Sequence, residues 1–398
     1  MREMGKRDCC LYYGAAITTR AKRVRNLPLI NPATTNRMLR IAGAFNAAGE
    51  RCAILSPAIM PRISGGGWMC SIAQRVSGVP VLSIRQLRRR YIGYILTPFT
   101  AIAAAVVLAR RRKIKTVVQY CYFPDAFLFS LWCKIAYGSK VVLDLEDICR
   151  PRLADWKPGS ETRPVLQLWG WCLMKLSVWL ADMVIMPTAK FSPVVPEKKR
   201  LVISGCQNVS PDDAIKPSDG GIRLLFSGGI TEENGIVLLF DALKRLDGQK
   251  RNLKVSICGM GCRKEWAEDR AKELVNIDAT VLGFLDSDAF VSLYKETDAC
   301  FAIQNPYGRH GQFKTPSKGY EALCSGKLLI VSDIGDFGEL PDKVCCHLRP
   351  YSAETLAAIL ASLTQDAANV KRLAALEYAR QNFNVGVIGD KLRMRLAK

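Results

Sequence analysis

Apolar runs of strand length alternate with longer helical patterns along most of the chain, and this alternation restricts the fold more than any other feature. It occurs twice. The first series begins at 9–16 and closes at 200–205, and the second begins at 222–229. Strand–helix alternation builds parallel sheets with helices on both faces. Between the two series, residues 210–221 (SPDDAIKPSDGG) are polar and rich in Pro, Gly and Asp, which is typical of a linker.

Two such series predict an α/β protein with two Rossmann-like domains facing a central cleft. The length of 398 residues also suits two domains. We place the first domain at 1–208, the linker at 209–221 and the second domain at 222–382. We expect a helix at about 383–398 to pack back on the first domain. Because ligands of such sheets bind at the carboxyl ends of the strands, site residues are expected there.

The positive charge of the chain is concentrated near its start. The formal net charge is +21, with 57 Lys and Arg against 36 Asp and Glu. Residues 1–115 hold 21 basic and 3 acidic residues, whereas residues 116–398 hold 36 and 33. A basic segment of this kind has three interpretations: attraction to an anionic membrane surface, binding of nucleic acid through its phosphates, or a solvated surface without a charged partner.

A stretch of nineteen uncharged residues at 91–109 lies inside this basic part. It is long enough to be a candidate membrane span. Pro98 near its middle and a strand pattern directly afterwards, at 116–122, favour a buried or partly interfacial helix instead. We expect a second apolar stretch, 165–181, to be a core helix with one wet edge, and an interfacial helix is the alternative. Arginines flank the first stretch on both sides, and this favours a membrane surface over nucleic acid: Arg88, Arg89, Arg90, Arg110, Arg111 and Arg112.

Fifteen cysteines and two histidines are present, but their spacing does not indicate a metal site. No C-x-x-C occurs, and a zinc site needs clustered thiolates or imidazoles. Most cysteines lie within apolar runs, where Cys acts as a small hydrophobic residue. The segment MREMGKRDCCLYY lacks the long apolar run of a signal peptide. We therefore expect a reducing, cytoplasmic location, peripheral at the inner face of the membrane.

Residues 300–340 contain a short helix that is suited to bind a phosphate. Thr315 is predicted to be its N-cap, Pro316 its first helical position and Gly326 its C-terminal stop. The unpaired amides and the positive dipole end at a helix start favour an anion. Three basic residues lie before or at this start: Arg309, Lys314 and Lys318.

Glu321 lies one helical turn after that start. Its carboxylate there can accept hydrogen bonds from ribose hydroxyls while the helix start holds a diphosphate. The alternative is a Lys318–Glu321 pair on a solvated helix face. From this helix alone, the two interpretations remain equally open.

The second half of the chain resembles the nucleotide-sugar-binding domain of GT-B glycosyltransferases, specifically the large retaining group called glycosyltransferase family 4. Four pieces occur in the order of that family and cover about 222–345. They are LLFSGGITEENGIVLLFDAL, VSICGMG, VLGFLDSDAFVSLYKETDACFAIQNPY and TPSKGYEALCSGKLLIVSDIGDFGEL.

The resemblance implies a role for individual positions. Glu321 matches the glutamate that binds the ribose of the donor nucleotide, and Lys318 matches a basic residue often found at the start of the same helix. The other matching positions are Gly228 and Gly229 in the glycine loop near the diphosphate, Phe284 and Leu285 beside the base, and Gly14 in the N-terminal glycine turn near the donor phosphates and acceptor.

The sequence also departs from the family pattern. Phe313 stands where many members have a second glutamate, and Asn234 stands near the lysine that usually follows the glycine loop. Arg309, Lys314 and Lys318 are the nearest cations that can replace that lysine. The usual histidine after a strand of the first domain is absent, and Glu146 and Asp147 occupy the segment instead. These two carboxylates are the candidate catalytic residues, or they cap the loop after the strand.

The resemblance implies a retaining hexosyltransferase-type enzyme that transfers a sugar from a nucleotide diphosphate sugar. A lipid-linked or saccharide acceptor in bacterial cell-surface polysaccharide or glycolipid biosynthesis is implied, with no cofactor, no metal held by the protein and no nucleic-acid partner. A non-catalytic GT-B homologue and a basic nucleic-acid-binding protein are the alternatives.

Overall fold

The chain divides into two compact units of similar size. A computed structural model describes residues 7–27, 32–57, 67–88, 90–148, 164–211, 221–249, 252–308 and 316–397. The first unit comprises Met1–Cys206 together with Val385–Lys398, and the second comprises Gln207–Asn384. Most of the predicted linker, at 212–220, lies outside the described residues.

The first unit contains ten described strands and five helices before residue 206. The strands are β1 (Arg7–Tyr13), β2 (Cys52–Ser56), β3 (Trp68–Met69), β4 (Ile72–Val76), β5 (Val79–Ser83), β6 (Gln86–Leu87), β7 (Arg112–Tyr120), β8 (Lys140–Asp144), β9 (Met183–Met186) and β10 (Arg200–Val202). The helices are α1 (Thr19–Arg25), α2 (Pro32–Ala47), α3 (Arg90–Ala109), α4 (Pro124–Tyr137) and α5 (Pro164–Leu180).

Eight of these strands form one sheet in the order β10-β9-β8-β7-β1-β2-β5-β4. All neighbours pair in parallel except β4, which pairs antiparallel with β5 at one edge. The strand order reverses between β1 and β7, and such a reversal opens a crevice at the carboxyl ends of a parallel sheet. The sequence pattern did not predict β4, nor the small antiparallel pair of β3 and β6. With two residues each, β3 and β6 are too short to show a period of two.

Helices cover both faces of this sheet. On one face α2 packs against Cys10 and Tyr12 of β1, and on the other α3 and α4 pack against Cys9, Leu11 and Tyr13. Alternate residues of β1 are therefore buried on opposite sides, as expected for a strand in the middle of a parallel sheet. Helix α5 lies on the same face as α3 and α4, because its Ser177 accepts a hydrogen bond from Gln119 of β7 at 3.0 Å.

The second unit contains six strands and six helices among the described residues. The strands are β11 (Ile222–Gly229), β12 (Leu253–Met260), β13 (Asp278–Gly283), β14 (Ala299–Ala302), β15 (Leu328–Val331) and β16 (Cys345–His347). The helices are α6 (Ile236–Leu246), α7 (Lys264–Lys272), α8 (Ser287–Glu296), α9 (Ser317–Cys324), α10 (Ala353–Ser362) and α11 (Gln365–Asn382).

These six strands form one wholly parallel sheet in the order β13-β12-β11-β14-β15-β16. Numbered along the chain this is the order 3-2-1-4-5-6 of the Rossmann fold, with its reversal between β11 and β14. Two apolar clusters lie on its two faces, one with Leu239 and Leu243 of α6 and one with Leu323 of α9. The short edge strand β16 was absent from the sequence-based prediction.

The last helix, α12 (Val385–Leu396), returns to the first unit. It packs against α2, where the position that a Cβ of Gly389 would occupy lies 2.9 Å from the carbonyl oxygen of Ala44. Its Ile388 and Leu392 are buried in the core beside α2.

Helix α5 is less buried than the sequence predicted. Residues 165–181 were expected to form a core helix with one wet edge, but only a narrow stripe that includes Met174 and Val178 is buried. Its large exposed apolar residues are Val165, Leu166, Leu168, Trp169, Leu176 and Trp179. The expectation was wrong because an apolar composition shows that a helix is apolar all round. It does not show how much of that surface other parts of the protein cover.

Helix α3 is the one described helix that is long and apolar enough to cross a membrane. The window Ile92–Ala109 has a mean hydropathy of 2.0, and 28% of it is buried. Ala101 and Ala105 are fully buried against the sheet, and Thr97 accepts a hydrogen bond from Gln86 at 2.8 Å. The helix is therefore attached to the first unit along one side.

Cysteines contribute to the cores of both units and form no disulfide among the described residues. Of the fourteen described cysteines, ten are buried, and Cys70, Cys172 and Cys262 are exposed. Burial raises the pKa of Cys9 to about 11 and the pKa of Cys133 and Cys300 to about 12.

A buried ionic cluster stabilises the second sheet. Asp298 is 1% exposed and accepts hydrogen bonds from the backbone amide of Arg223 at 3.0 Å and from its Nε at 3.2 Å. The buried guanidinium of Arg372 lies 3.4 Å from the same carboxylate and donates to the carbonyl of Gly326 at 2.8 Å. Helix α11 is thereby connected to the strand that precedes the candidate site.

We predict that Asp298→Ala destabilises the protein by about 3–5 kcal/mol, because the guanidinium of Arg372 stays buried without a counter-charge. Denaturant unfolding of the full chain measures this. Asp278→Ala is the matched control, since Asp278 forms an exposed pair with Lys254 and its loss should cost about 1 kcal/mol or less. The double variant Asp298→Ala/Arg372→Met should recover part of the stability. Equal losses for Asp298→Ala and Asp278→Ala would contradict the prediction.

Candidate functional site

The carboxyl edge of the second sheet brings together two glycine turns. Gly228 and Gly229 end β11, the strand at which the order reverses, and Gly259 lies near the end of β12. Gly228 and Gly259 have φ angles of +136° and +142°, a region that side chains other than hydrogen rarely tolerate. A Cβ on Gly259 would lie 1.7 Å from the carbonyl oxygen of Gly228. The two turns can therefore lie this close together only with glycine at these positions.

The predicted phosphate-binding helix is present as α9, with its start displaced by one residue. Pro316 is the N-cap and Ser317 the first helical residue, whereas the sequence assigned these roles to Thr315 and Pro316. Thr315 lies outside the described residues. Gly326 follows the helix with a φ of +64°, as predicted for a C-terminal stop. Because α9 connects β14 to β15 in a parallel sheet, its N-terminus lies at the carboxyl edge, beside the glycine turns.

Lys318 extends from the start of α9 to the glycine loop. Its Nζ lies 3.1 Å from the position that a Cβ of Gly228 would occupy. Among the described residues Nζ forms no ion pair within 4 Å, and burial lowers the pKa of Lys318. A partly desolvated cation at a glycine turn is suited to bind an anionic group.

Glu321 lies on the same side of α9, one turn further along. It is half-buried and interacts electrostatically with Lys318. The structure thus places Lys318 beside Gly228, with Glu321 one turn further along the same helix. Arg309 and Lys314, the other two predicted cations, lie outside the described residues, as does Phe313.

Phe284 and Leu285 follow the carboxyl end of β13, at the edge of the same sheet. The ring of Phe284 is 55% exposed, whereas Leu285 packs partly into the core. An exposed aromatic ring beside the glycine turns can stack on a flat base. Gly283 precedes it with a φ of +66°, and this turns the chain away from the strand.

Asn234 takes a structural role where the family has a lysine. Its side-chain amide donates to the carbonyl of Gly229 at 2.8 Å, and its side-chain oxygen accepts from Gln304 at 2.9 Å. Gln304 follows β14, so these bonds connect the glycine loop to the neighbouring strand end. In the sequence, Asn234 stands out only as a departure from the family pattern, and no sequence pattern indicates Gln304.

A second polar cluster lies at the carboxyl edge of the first sheet. Gly14 follows β1, where the order of that sheet reverses, and a Cβ on Gly14 would lie 2.5 Å from the Cβ of Tyr120. Tyr120 donates a hydrogen bond to Glu146 and lies 3.3 Å from the hydroxyl of Thr34. Burial raises the pKa of Glu146, and the positive charge of Arg37 opposes that rise.

An ion pair that no sequence pattern indicates lies next to this cluster. Arg37 of α2 donates to both oxygens of Asp144, with Nη2 at 2.6 Å from Oδ1. Tyr12 of β1 donates to the same carboxylate, which is fully buried. The pair holds α2 to the ends of β1 and β8, two residues before Glu146. Asp147 is exposed. Of the two predicted catalytic carboxylates, only Glu146 is thus connected to the polar cluster.

The predicted arginine clusters lie in the first unit. Arg110 and Arg111 are exposed after α3, whereas Arg112 begins β7 and is half-buried. Arg88 is half-buried, and its guanidinium lies 3.3 Å from the carbonyl of Arg25. Arg90 begins α3, and Arg89 lies outside the described residues.

No group of three or more His, Cys, Asp or Glu side chains that could hold a metal ion occurs among the described residues. One D-x-D spacing, Asp286 to Asp288, is present. Asp286 is the N-cap of α8, and its carboxylate accepts from the amide of Ala289 at 2.9 Å. Asp286 therefore has a local structural role.

Residues 212–382 match the family model of glycosyl transferases group 1. This match covers the second unit, with both glycine turns and α9. The chain thus carries a glycosyl transferases group 1 domain on a GT-B fold, and this supports a glycosyltransferase. The match also supports transfer from a nucleotide sugar, and membership of family 4 specifically stays a prediction.

Solved structures of glycosyltransferases have the same fold over nearly their whole length. The Anabaena protein Alr3699/HepE in complex with UDP and glucose is 15% identical, with a TM-score of 0.60 and coverage of 98% of this chain and 99% of that one. The lipopolysaccharide outer core galactosyltransferase WaaB is 12% identical, with a TM-score of 0.60 and the same coverage. The trehalose 6-phosphate synthase of Burkholderia multivorans is 11% identical, with a TM-score of 0.63 and coverage of 98% and 96%. A search of curated proteins by sequence finds no match.

We predict that Glu146→Gln stabilises the glycosyltransferase relative to wild type as pH rises. A carboxyl whose folded pKa is raised contributes stability below its unfolded pKa, and this contribution is lost as pH rises through the folded pKa. The glutamine keeps an acceptor for Tyr120 and carries no charge. Between pH 5 and pH 8 the melting temperature of the variant should gain about 2–4 °C on wild type, the shift produced by 1 kcal/mol in a domain of this size. Asp147→Asn is the exposed control. Parallel pH curves for Glu146→Gln and wild type would show that the prediction is wrong.

Proposed function

We propose that the enzyme is a retaining glycosyltransferase that moves a sugar from a nucleotide diphosphate sugar to a lipid-linked or saccharide acceptor. The observation that carries this proposal is the contact of Lys318 with the glycine loop at Gly228, with Glu321 one turn further along the same helix. A cation and helix-start amides beside a glycine turn suit a diphosphate, and a carboxylate nearby suits a ribose.

In the proposed donor site, different residues contact the diphosphate, the ribose and the base. The diphosphate lies between the N-terminus of α9 and the turn at Gly228 and Gly229, with Lys318 as its counter-charge. Glu321 accepts hydrogen bonds from the ribose hydroxyls, and Phe284 and Leu285 contact the base. Arg309 and Lys314 supply further positive charge from the segment before α9. The complex of the Anabaena relative with UDP and glucose supports a uridine nucleotide as the first donor to test.

The chemistry requires stabilisation of charge on the departing diphosphate. Negative charge develops on the leaving group while positive charge develops at the anomeric carbon. Fixed amide dipoles and the ammonium group of Lys318 stabilise the former without reorganisation during the reaction. The desolvation that lowers the pKa of Lys318 also strengthens its interaction with a bound phosphate. The proposed reaction uses neither a cofactor nor a metal held by the protein.

The first unit is proposed to serve the acceptor and the sugar. Gly14 lets the chain pass close to Tyr120, and Glu146 lies beside that tyrosine with its carboxyl group largely shielded from water. Glu146 contacts a hydroxyl of the sugar or of the acceptor, and the exposed Asp147 lies next to it.

The basic first part supports an acceptor at a membrane surface. We propose that the enzyme works in the cytoplasm at the inner face of the membrane, in the assembly of bacterial cell-surface polysaccharide or glycolipid. The exposed Arg110 and Arg111 contribute to the attraction toward anionic lipid, together with the cluster at Arg88, Arg89 and Arg90. Nucleic acid is not expected as a partner.

Glu321→Ala should abolish the stabilisation of the enzyme by its nucleotide. A thermal-shift screen with UDP, GDP and their sugars measures this on the full chain. A ligand at 100 times its Kd stabilises the folded state by about 2.7 kcal/mol, so the response of wild type is readily measured. Glu296→Ala is the matched control, because Glu296 is exposed at the far end of α8. If wild type responds to no nucleotide or nucleotide sugar, the chain is a non-catalytic homologue and the proposal is wrong.

Lys318→Met should weaken binding of a nucleoside diphosphate by about 10- to 100-fold, because a charge-assisted hydrogen bond contributes about 1.5–3 kcal/mol. Binding of the corresponding monophosphate should change less, since Lys318 is assigned to the diphosphate. Isothermal titration calorimetry with both nucleotides measures the two effects. Lys295→Met, at an exposed position of α8, controls for the loss of one positive charge. Equal weakening for the two nucleotides would remove Lys318 from the diphosphate site.

A further inference from the structure

We propose that the outer face of α3, α4 and α5 rests on an anionic lipid bilayer, so that the enzyme lies on a membrane without crossing it. We call this surface the three-helix face. The inference deepens the membrane part of the proposed function and rests on it. It adds a surface that the flanking arginines alone do not define, because it includes α4 and α5.

The three-helix face carries more than half of the large apolar side chains that are exposed among the described residues. They are present on all three helices, with Ile95 at 66% exposure on α3, Ile135 at 78% on α4 and Trp179 at 72% on α5. The helices pack beside one another on one side of the sheet, α3 on α4 and α4 on α5. An apolar surface of this extent marks a site of membrane or protein interaction.

The opposite side of the same sheet provides an internal comparison. Helix α2 has no exposed large apolar residue among its described side chains, and α12 has one, Met394. In the second unit no described helix has more than two such residues, and the two on α11 are Val370 and Leu373. Both sides of the sheet bury apolar residues toward the core, so sheet packing does not explain the apolar outer surface of one side.

The charges around the three-helix face favour an anionic partner. Neither α3 nor α5 contains an acidic residue, and the one carboxylate on α4, Asp125, is 7% exposed and accepts a hydrogen bond from Tyr13 at 2.7 Å. Arg110 and Arg111 are exposed at the end of α3, and Lys175 of α5 lies 4.9 Å from the ring centre of Trp171. Tryptophan and basic side chains together are typical of the membrane interface.

The same observations argue against a span and against a second copy of the chain. Helix α3 is held to the sheet by the fully buried Ala101 and Ala105 and by the bond from Gln86 to Thr97. To cross a bilayer it would have to leave that core. Two copies of the three-helix face would bring like charges together without an exposed carboxylate on these helices to pair with them.

The test is sedimentation of the full chain with vesicles of phosphatidylcholine, with and without phosphatidylglycerol. Wild type should sediment with the mixed vesicles and less with phosphatidylcholine alone. Trp169→Glu/Trp179→Glu on α5 and Ile95→Glu/Phe99→Glu on α3 should each lower the partition coefficient about tenfold or more, since each places two charges in the apolar layer. Leu373→Glu and Met394→Glu, at comparably exposed apolar positions elsewhere, should stay within about twofold of wild type.

Unchanged sedimentation of the α5 variant would overturn the proposal. The proposal would also be wrong if sedimentation were lost only when Arg110 and Arg111 are changed to Ala, because binding would then depend on charge alone. Light scattering without lipid tests the other occupant. If wild type is a dimer and Trp169→Glu/Trp179→Glu is a monomer, the face joins two copies and the proposal is wrong.

A second readout keeps folding and donor binding separate from membrane binding. Brominated lipid should quench the tryptophan fluorescence of wild type and quench Trp179→Phe less. The nucleotide response in the thermal-shift screen should be retained in the α5 variant, which shows that it is folded. Sedimentation without any nucleotide response in wild type would refute the proposed function and leave the three-helix face supported. A nucleotide response in wild type without sedimentation on vesicles would refute the membrane role of the three-helix face and leave the proposed function supported.

Discussion

The backbone at the end of β11 lies so close to the backbone at the end of β12 that only glycine fits at Gly259. The carbonyl oxygen of Gly228 occupies the space in which a Cβ of Gly259 would lie, and Lys318 fills the space beside Gly228 itself. This contact depends on parallel pairing, because only parallel strands bring the carboxyl ends of β11 and β12 and the start of α9 to one edge. The positions of the donor groups proposed above follow from that arrangement.

The first unit also has a glycine at the end of the strand where the sheet order reverses, but different side chains surround it. Gly14 follows β1 as Gly228 follows β11, and each lies where the strand order of its sheet reverses. In the second unit the space beside the glycine holds a lysine. In the first unit it holds Tyr120, which donates a hydrogen bond to Glu146 near the ion pair of Arg37 with the buried Asp144. The same strand topology thus places a cation, Lys318, at the glycine turn of the second unit and a shielded carboxyl, that of Glu146, near the glycine turn of the first.

The sequence predicted the parts of the fold that local patterns encode. Strand-length runs that end in glycine predicted β1, β11 and β12, and Pro316 with Gly326 predicted α9 to within one residue at its start. The pair of Arg37 and Asp144 joins residues 107 positions apart, so no local signal reveals it. The exposure of α5 could not be predicted either, since an apolar helix has the same composition in a core and at a surface.

The burial of the cysteines has a chemical consequence for a protein with so many of them. The thiolate, and not the thiol, is the nucleophile and the form that is oxidised. Burial raises the pKa of Cys9 to about 11 and that of Cys133 and Cys300 to about 12, so these core thiols have little thiolate at neutral pH and react slowly with oxidants and alkylating reagents. Cys70, Cys172 and Cys262 are the exposed described thiols, and Cys172 lies on α5. The fold thus directs thiol chemistry to a few surface positions and leaves one natural attachment point for a reporter group on the apolar side of the first unit.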